Sequence, residues 1–194
     1  MTDVQKVALV DMDGTVADYE YAMIRDMAKL KDPSEPGYPV HGDVPPHIDA
    51  RQELIKTQPG WWRKLHIIPT GFDVVSMMRR VGFNIHVLTK GPSSKSQAWA
   101  EKVEWVREHM PYADITITED KGLVYGRVLF DDYPDYVNRW LAWRPRGLVI
   151  MLHTQQNASF EHPNIVKIDP ATFHEDQESQ INLLNRLQVA YERE

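Results

Sequence analysis

The chain has no cysteine among its 194 residues. That absence excludes a disulfide, a thiolate nucleophile, an iron–sulfur cluster and a cysteine-based zinc site, and it makes a reducing cytoplasm the expected compartment. Long apolar runs are missing as well. None approaches the roughly 18 residues that cross a bilayer, so no transmembrane helix is expected. The opening Met1-Thr2-Asp3-Val4-Gln5-Lys6 carries an early acid and only a short apolar stretch behind it, and does not read as a signal peptide. A basic surplus is lacking too: 22 Lys and Arg against 28 Asp and Glu leave a net charge of -6. Long nucleic acid wants a basic face and is not expected as a partner. A small phosphorylated ligand needs only a local cluster of positive charge and stays open. There is no internal repeat and no low-complexity tract.

What is present is the 42% hydrophobic and 26% charged content of an ordinary globular protein, long enough for one well-buried domain with a small insertion. Short apolar runs alternate with helical stretches, which predicts an α/β fold of βα units around a mostly parallel sheet. The candidate strands are Val7–Val10, Ile85–Leu88, Ile115–Ile117, Val128–Phe130 and Leu148–Met151. Thr70 and Asp73 have capping-box spacing ahead of Val74, Val75, Met77 and Met78. Trp99, Val103, Val106 and Met110 recur on one helical face, as do Ile181, Leu184, Leu187 and Tyr191, and both stripes read as core. Between Asp18 and Gly60 a helix around Met23, Met27 and Leu30 precedes a stretch holding Pro33, Pro36, Pro39, Pro45, Pro46 and Pro59. Prolines do not fit a central strand or a helix interior. The expected division is therefore an α/β core over 1–17 and 61–194, with 18–60 as a small ordered cap.

The strongest chemical signal is Asp11-Met12-Asp13-Gly14-Thr15, directly behind the first strand. Ligands of open α/β sheets sit at the carboxyl ends of strands. Two carboxylates one residue apart repel unless a cation or proton intervenes, and Gly14 permits a sharp turn. The plainer alternative is a strand-to-helix turn with Thr15 or Asp18 as helix cap. Asp131-Asp132 stands at another strand end, before Tyr133-Pro134, where a simple turn is the competing reading. Two acidic ends in one sheet can converge on a hard cation, and Mg2+ takes oxygen ligands while the eight histidines are scattered. Thr89 ends its strand ahead of Lys90-Gly91-Pro92-Ser93-Ser94, offering a hydroxyl, a glycine turn and a helix N-terminus to an anion. Lys121 lies ten residues before Asp131; alone it reads more readily as a solvated surface lysine, and its case rests on the residues around it.

In this order the residues resemble the haloacid dehalogenase-like phosphohydrolases. Longer strings resemble more specifically the 5'(3')-deoxyribonucleotidases: Asp11-Met12-Asp13-Gly14-Thr15-Val16-Ala17-Asp18, Ile68-Pro69-Thr70-Gly71, Glu101-Lys102-Val103-Glu104-Trp105-Val106, and Thr118-Glu119-Asp120-Lys121 through Gly126 to Phe130-Asp131-Asp132. The likeness spans roughly residues 5 to 155 and leaves the C-terminal tail uninformative. It implies a Rossmann-like, doubly wound sheet and a Mg2+-dependent phosphomonoesterase acting on (deoxy)ribonucleoside monophosphates. By matching position, Asp11 is the implied nucleophile and Asp13 the acid/base. Thr89 and Lys121 are the implied phosphate holders. Asp11, the Asp13 carbonyl and Asp132 are the implied metal ligands, with Asp131 in support. Where the family usually has Ser after the Thr, this chain has Lys90-Gly91, a second cation that either joins the phosphate site or points away from it. Tyr19 is the candidate to pack on a base; for Tyr38, Trp61 and Trp62 cap or core packing competes with that role. A homodimer fits the resemblance. The alternatives are a related phosphatase acting on a sugar phosphate or a nucleic-acid 3'-phosphate end, and a non-catalytic nucleotide-binding module.

Overall fold

Val7-Ala8-Leu9-Val10 is four consecutive apolar residues, a run suited to a strand covered on both faces, and it forms β1 (Val7–Val10) at the middle of the sheet. The computed structural model describes residues 6–91 and 95–194. Around β1 stand β2 (Asn84–Thr89), β3 (Asp114–Ile117), β4 (Val128–Phe130), β5 (Leu148–Leu152) and β6 (Ile165–Ile168), in the spatial order β3-β2-β1-β4-β5-β6. Every pairing is parallel. The helices are α1 (Tyr19–Leu30), α2 (Pro46–Lys56), α3 (Pro69–Val81), α4 (Ser96–His109), α5 (Pro134–Trp143) and α6 (Gln177–Glu192). The predicted doubly wound α/β sheet is what forms. Among the described residues no helix is long and apolar enough to cross a membrane.

The alternation along β1 divides the core. Ala8 and Val10 face a cluster with Val74, Val75 and Met78 of α3, Trp105 and Val106 of α4, and Leu183 and Leu187 of α6. Leu9 faces the other way, onto Leu88, Leu129, Val149 and the α5 residues Val137 and Trp140. From β1 the chain builds outward through β2 to β3, then crosses back to build β4, β5 and β6 on the other side. The order therefore reverses between β1 and β4, and such a switch point leaves a crevice at the strands' carboxyl ends.

Proline marks three helix starts. Pro46, Pro69 and Pro134 each occupy the first turn, where the missing N–H costs nothing. This corrects two sequence expectations. The proline-rich stretch contains a second helix, α2, whose buried Ile48, Gln52 and Ile55 pack beside α1. The Thr70–Asp73 capping box does not form: α3 follows Ile68 without a side-chain cap, and the Thr70 hydroxyl donates to the Pro170 carbonyl at 3.2 Å.

The two α-helical stripes are also shifted. On α4 the buried residues are Ala98, Glu101, Lys102, Trp105 and Val106. On α6 they are Leu183, Leu187 and Ala190, while Ile181 is exposed. The C-terminal tail supplies an unexpected strand: β6 pairs with β5 and buries Val166 and Ile168.

Residues 18–66 leave and rejoin the core at one point. Asp18 N donates to the His66 carbonyl and Ile68 N to the Val16 carbonyl, both at 2.8 Å. Gly71 at the start of α3 lies so close that a Cβ there would stand 2.1 Å from the Thr15 carbonyl oxygen.

Candidate active site

Register carries the chemistry to one rim. Val10 pairs with Val87 on one side and Phe130 on the other, so the residues that follow these strands emerge together. Asp11 N still donates to the Phe130 carbonyl at 2.8 Å, and Asp131 N to the Ile150 carbonyl at 3.1 Å. Beyond Asp11 the chain wraps around the Met12 carbonyl, which accepts from Thr15, Val16 and Ala17 N–H. Gly14 takes φ +75, and a Cβ there would lie 2.5 Å from an Asp132 carboxylate oxygen. Only a glycine lets this loop close on Asp132. Asp18, one of the two cap candidates, caps α1 by accepting from Tyr21 N at 3.0 Å. The Thr15 hydroxyl instead donates to Asp132 Oδ1 at 3.2 Å.

Lys121 enters from a short 3-10 turn, Lys121–Leu123, whose start is fixed by the Asp120 carboxylate accepting from Gly122 N at 2.9 Å. It is no surface lysine. Only 1% exposed, its Nζ lies 2.7 Å from Asp11 Oδ1 and 2.7 Å from Asp131 Oδ2. The other Asp131 oxygen accepts from Tyr133 N at 3.0 Å, so both oxygens of that carboxylate are engaged. Burial pulls the Lys121 ammonium down, and the attraction of Asp11 and Asp131 outweighs it, holding the group above its ordinary range.

A second buried ammonium escaped the sequence reading. Lys102, on the inner face of α4, donates to the Asp13 carboxylate, to the Thr89 hydroxyl at 3.0 Å and to the Lys90 carbonyl at 2.8 Å. Its Nζ also lies 4.5 Å from the Trp62 ring centre. The available signal was phase: Lys102 falls in step with the apolar Ala98, Trp105 and Val106, where a solvated lysine would not sit. Its neighbour Glu101 accepts from Gly60 N at 2.7 Å and Trp62 N at 3.1 Å, fastening the returning chain.

Asp11, Asp131 and Asp132 each offer a carboxylate oxygen within 4.8 Å of the others. Together with Asp13 they make four carboxylates against two ammonium groups, a surplus of two negative charges. Burial pushes the Asp131 carboxyl up to about 7 against the pull of Lys121. Burial, then Asp131 and Asp11, raise Asp132 well above the carboxylate range. Burial raises Asp13 too, against the pull of Lys102. Among the described residues no cation pairs with Asp132. An all-oxygen set, crowded and under-neutralised, fits a hard divalent cation.

A cavity of about 870 Å³ opens beside the rim, lined by Asp13 and Asp132 and walled by Tyr19, Val40, His41 and Gln155. One Asp13 oxygen, Oδ1, is buried there without a hydrogen-bond partner. Tyr19 stacks on Trp62 at 5.7 Å between ring centres and meets Trp61 edge-on at 5.6 Å. Trp61 and Trp62 are buried packing residues, their indole N–H groups donating to Asp26 and to the Lys56 carbonyl. Tyr38 lies outside the cavity lining, edge-on to His47. Thr89 is fully buried at the rim, whereas the Lys90 side chain is exposed, 5.8 Å from the Tyr136 ring centre. Pro92, Ser93 and Ser94, the rest of the expected anion turn, lie outside the described residues.

This rim is matched by a known family. The model of the 5' nucleotidase, deoxy (pyrimidine), cytosolic type C proteins matches residues 5–168. The chain belongs to this family. It is a phosphomonoesterase of the 5'-nucleotidase type within the haloacid dehalogenase-like superfamily, as the resemblance implied. A protein of Bordetella bronchiseptica provisionally named a 5'(3')-deoxyribonucleotidase is 29% identical over 159 residues, covering 77% of this chain and 84% of that one. The human 5'(3')-deoxyribonucleotidase, cytosolic type, is 27% identical over 139 residues, covering 64% and 69%. In fold, the nucleotidase is similar to a crystal structure of a dehalogenase, with TM-score 0.51, 9% identity and coverage of 90% and 98%. It is similar as well to a haloacid dehalogenase family hydrolase from Deinococcus radiodurans solved with bound phosphate and sodium. There the TM-score is 0.50 at 12% identity, covering 92% and 97%.

Proposed function

We propose that this nucleotidase is a Mg2+-dependent enzyme that hydrolyses (deoxy)ribonucleoside monophosphates to nucleoside and phosphate through an aspartyl-phosphate on Asp11. The observation that carries the proposal is the convergence of Asp11, Asp131 and Asp132 oxygens within 4.8 Å at the sheet's switch point, with Asp13 at the cavity mouth. In this reading the Asp11 carboxylate attacks phosphorus while the bond to the leaving alcohol breaks, and Asp13 gives that oxygen its proton. Asp13 then takes a proton from the water that cleaves the aspartyl-phosphate, restoring Asp11 and releasing phosphate. Splitting the displacement in two is what a carboxylate nucleophile offers. Thr89 and Lys121 hold the phosphoryl oxygens, and Lys102 holds Asp13. Mg2+ bound by Asp11, Asp132 and the Asp13 carbonyl would neutralise charge on the phosphoryl group, with Asp131 keeping Lys121 in place.

Residues 18–60 serve as the cap in this reading, and Tyr19 with His41 forms the wall that meets sugar and base. Cytosolic placement follows the human relative's name. A homodimer is part of the same proposal, tested by light scattering. The deciding assay is phosphate release from dUMP or dTMP, with and without chelator, beside a panel of sugar phosphates and 3'-phosphate ends. Asp11→Asn is expected to lower kcat by about ten-thousand-fold or more. Turnover surviving that change would sink the nucleophile assignment.

A further inference from the structure

The loop after β5 holds a side chain that the reaction scheme leaves unused. Asn157 is fully buried. Its Nδ2 donates to the Asp132 carbonyl at 3.0 Å and the Leu152 carbonyl at 2.8 Å, and its Oδ1 accepts from Thr154 N at 3.0 Å. Both amide hydrogens and the carbonyl oxygen are thus used, and two of these bonds stay within the loop and the strand it leaves. The third reaches across to the end of β4, 25 residues earlier in sequence.

That third bond falls where the sheet no longer holds the chain. The last ladder bond on the β4 side is Asp131 N to the Ile150 carbonyl. Asp132 lies one residue beyond it, and its carboxylate is steadied by the Thr15 hydroxyl at 3.2 Å and by close approach to Gly14. The direction in which Asp132 points therefore depends on its own peptide plane, whose carbonyl is bound by Asn157. A coordinating group must be held to within roughly half an ångström to bind well.

We propose that Asn157 is a positioning residue for the cation site: its carboxamide fixes the Asp132 peptide so that the Asp132 carboxylate meets that of Asp11, and so sets affinity for a divalent cation. This rests on the reading of Asp11, Asp131 and Asp132 as the cation's ligands. Partners that orient metal ligands typically contribute about 10- to 100-fold in metal affinity.

The test is calorimetric titration of the purified chain with Mg2+ in the absence of substrate, beside urea unfolding. Asn157→Ser removes the carboxamide and is expected to weaken Mg2+ binding by about 10- to 100-fold. Asn157→Asp keeps the shape but turns an oxygen toward two carbonyls, and provides the same reading should the serine variant fail to fold. Lys167→Met is the control for plain loop loosening. Lys167 Nζ donates to the Asn157 and Ala158 carbonyls, both at 2.8 Å, without touching Asp132. It is expected to cost stability while leaving Mg2+ affinity within about twofold. Wild-type affinity in either Asn157 variant, or an equal loss in Lys167→Met at matched stability, overturns the proposal. Asp132→Asn separates the two levels. If it binds Mg2+ as the wild type does, the ligand assignment itself fails and takes this inference with it.

Discussion

The acidic rim and the aromatic wall of the same cleft are held by different means. Asp11 and Asp131 follow, and Thr89 ends, strands locked in register on both sides, and with Lys102 and Lys121 they are at least 95% buried. Tyr19 and His41 stand on the 18–66 excursion and are more open to solvent. Within it Trp61 is tied to Asp26 and Trp62 to the Lys56 carbonyl, and it is fastened to the core by backbone bonds at its two ends and by Glu101 on the Gly60 and Trp62 N–H groups. Groups that must meet within tenths of an ångström are carried by the part of the chain least able to shift. The wall rests on other contacts, and meets the rim where the Trp62 ring lies 4.5 Å from Lys102 Nζ. One helix turn joins the two regimes, since Glu101 grips the wall while Lys102, next to it, grips the rim.

If the buried ion pairs hold the rim, removing the ammonium that pairs with two carboxylates at once, Lys121, should do the greatest damage. Lys121→Met keeps the side-chain bulk and leaves Asp11 and Asp131 buried without their ammonium. Breaking a buried pair from one side typically costs about 3–5 kcal/mol. Urea unfolding is expected to show a loss in that range, with phosphatase activity abolished. A loss near that of a surface pair would mean that water reaches the two carboxylates, and the contrast between rim and wall would dissolve.

Lys102→Met is expected to be milder for stability and still severe for turnover. Asp13 is partly open, with 27% of its side chain exposed, so solvent can replace part of what Lys102 supplies. About 1–3 kcal/mol is the scale for leaving such polar partners unsatisfied. Loss of a held acid/base group typically lowers kcat by about a hundred- to ten-thousand-fold. Nucleotide hydrolysis and unfolding measured on the same preparation check both. A large stability loss with intact kcat would place Lys102 in the scaffold alone.

The same contrast explains which parts were legible in the sequence. Val7–Val10 and Val128–Phe130 match the observed strands end to end, because unbroken apolar runs stop at paired aspartates. Asp11, Thr89 and Asp131 were legible because each stands at a strand end, and register does the rest; Lys121, in a 3-10 turn between β3 and β4, was reached only through the resemblance. Lys102 was not, because an apolar stripe through Trp99 and Val103 looked as good as the true face one residue round the helix, and only packing chooses between them. The α6 stripe was placed off-centre for the same reason: Leu187 is buried as expected and Tyr191 packs on the core, but Ile181 faces outward while Leu183 faces in. Strand β6 is four residues long between Pro163-Asn164 and Asp169-Pro170, with Lys167 in its middle, and pairing with β5 outweighs that weak local pattern. Asn157 carries no local signal at all; its partner at Asp132 is visible only once the strands are assembled.

The smallest effect is expected on the wall, at Asp26. Its carboxylate accepts from Arg25 at 2.7 Å, from Lys29 at 2.6 Å and from the Trp61 indole at 2.9 Å. The Arg25 hydrogen bond, aided by Lys29 and Trp61 and opposed by burial, holds this carboxyl well below the usual range. A carboxyl depressed in the folded state stabilises it at pH values above its ordinary pKa of about 4, and that contribution fades as pH falls through the folded value. Wild-type stability should therefore drop on acidification below about pH 4, and Asp26→Asn should drop less steeply from a start about 1 kcal/mol lower, since Arg25 and Lys29 are exposed partners. The amide oxygen can still accept from Trp61, so the wall keeps its shape. Thermal unfolding across pH 3 to 7 measures the slope, and kcat at neutral pH should stay within about twofold. A tenfold fall in kcat would mean that the wall steers the rim after all, and the independence of the two regions would have to be given up.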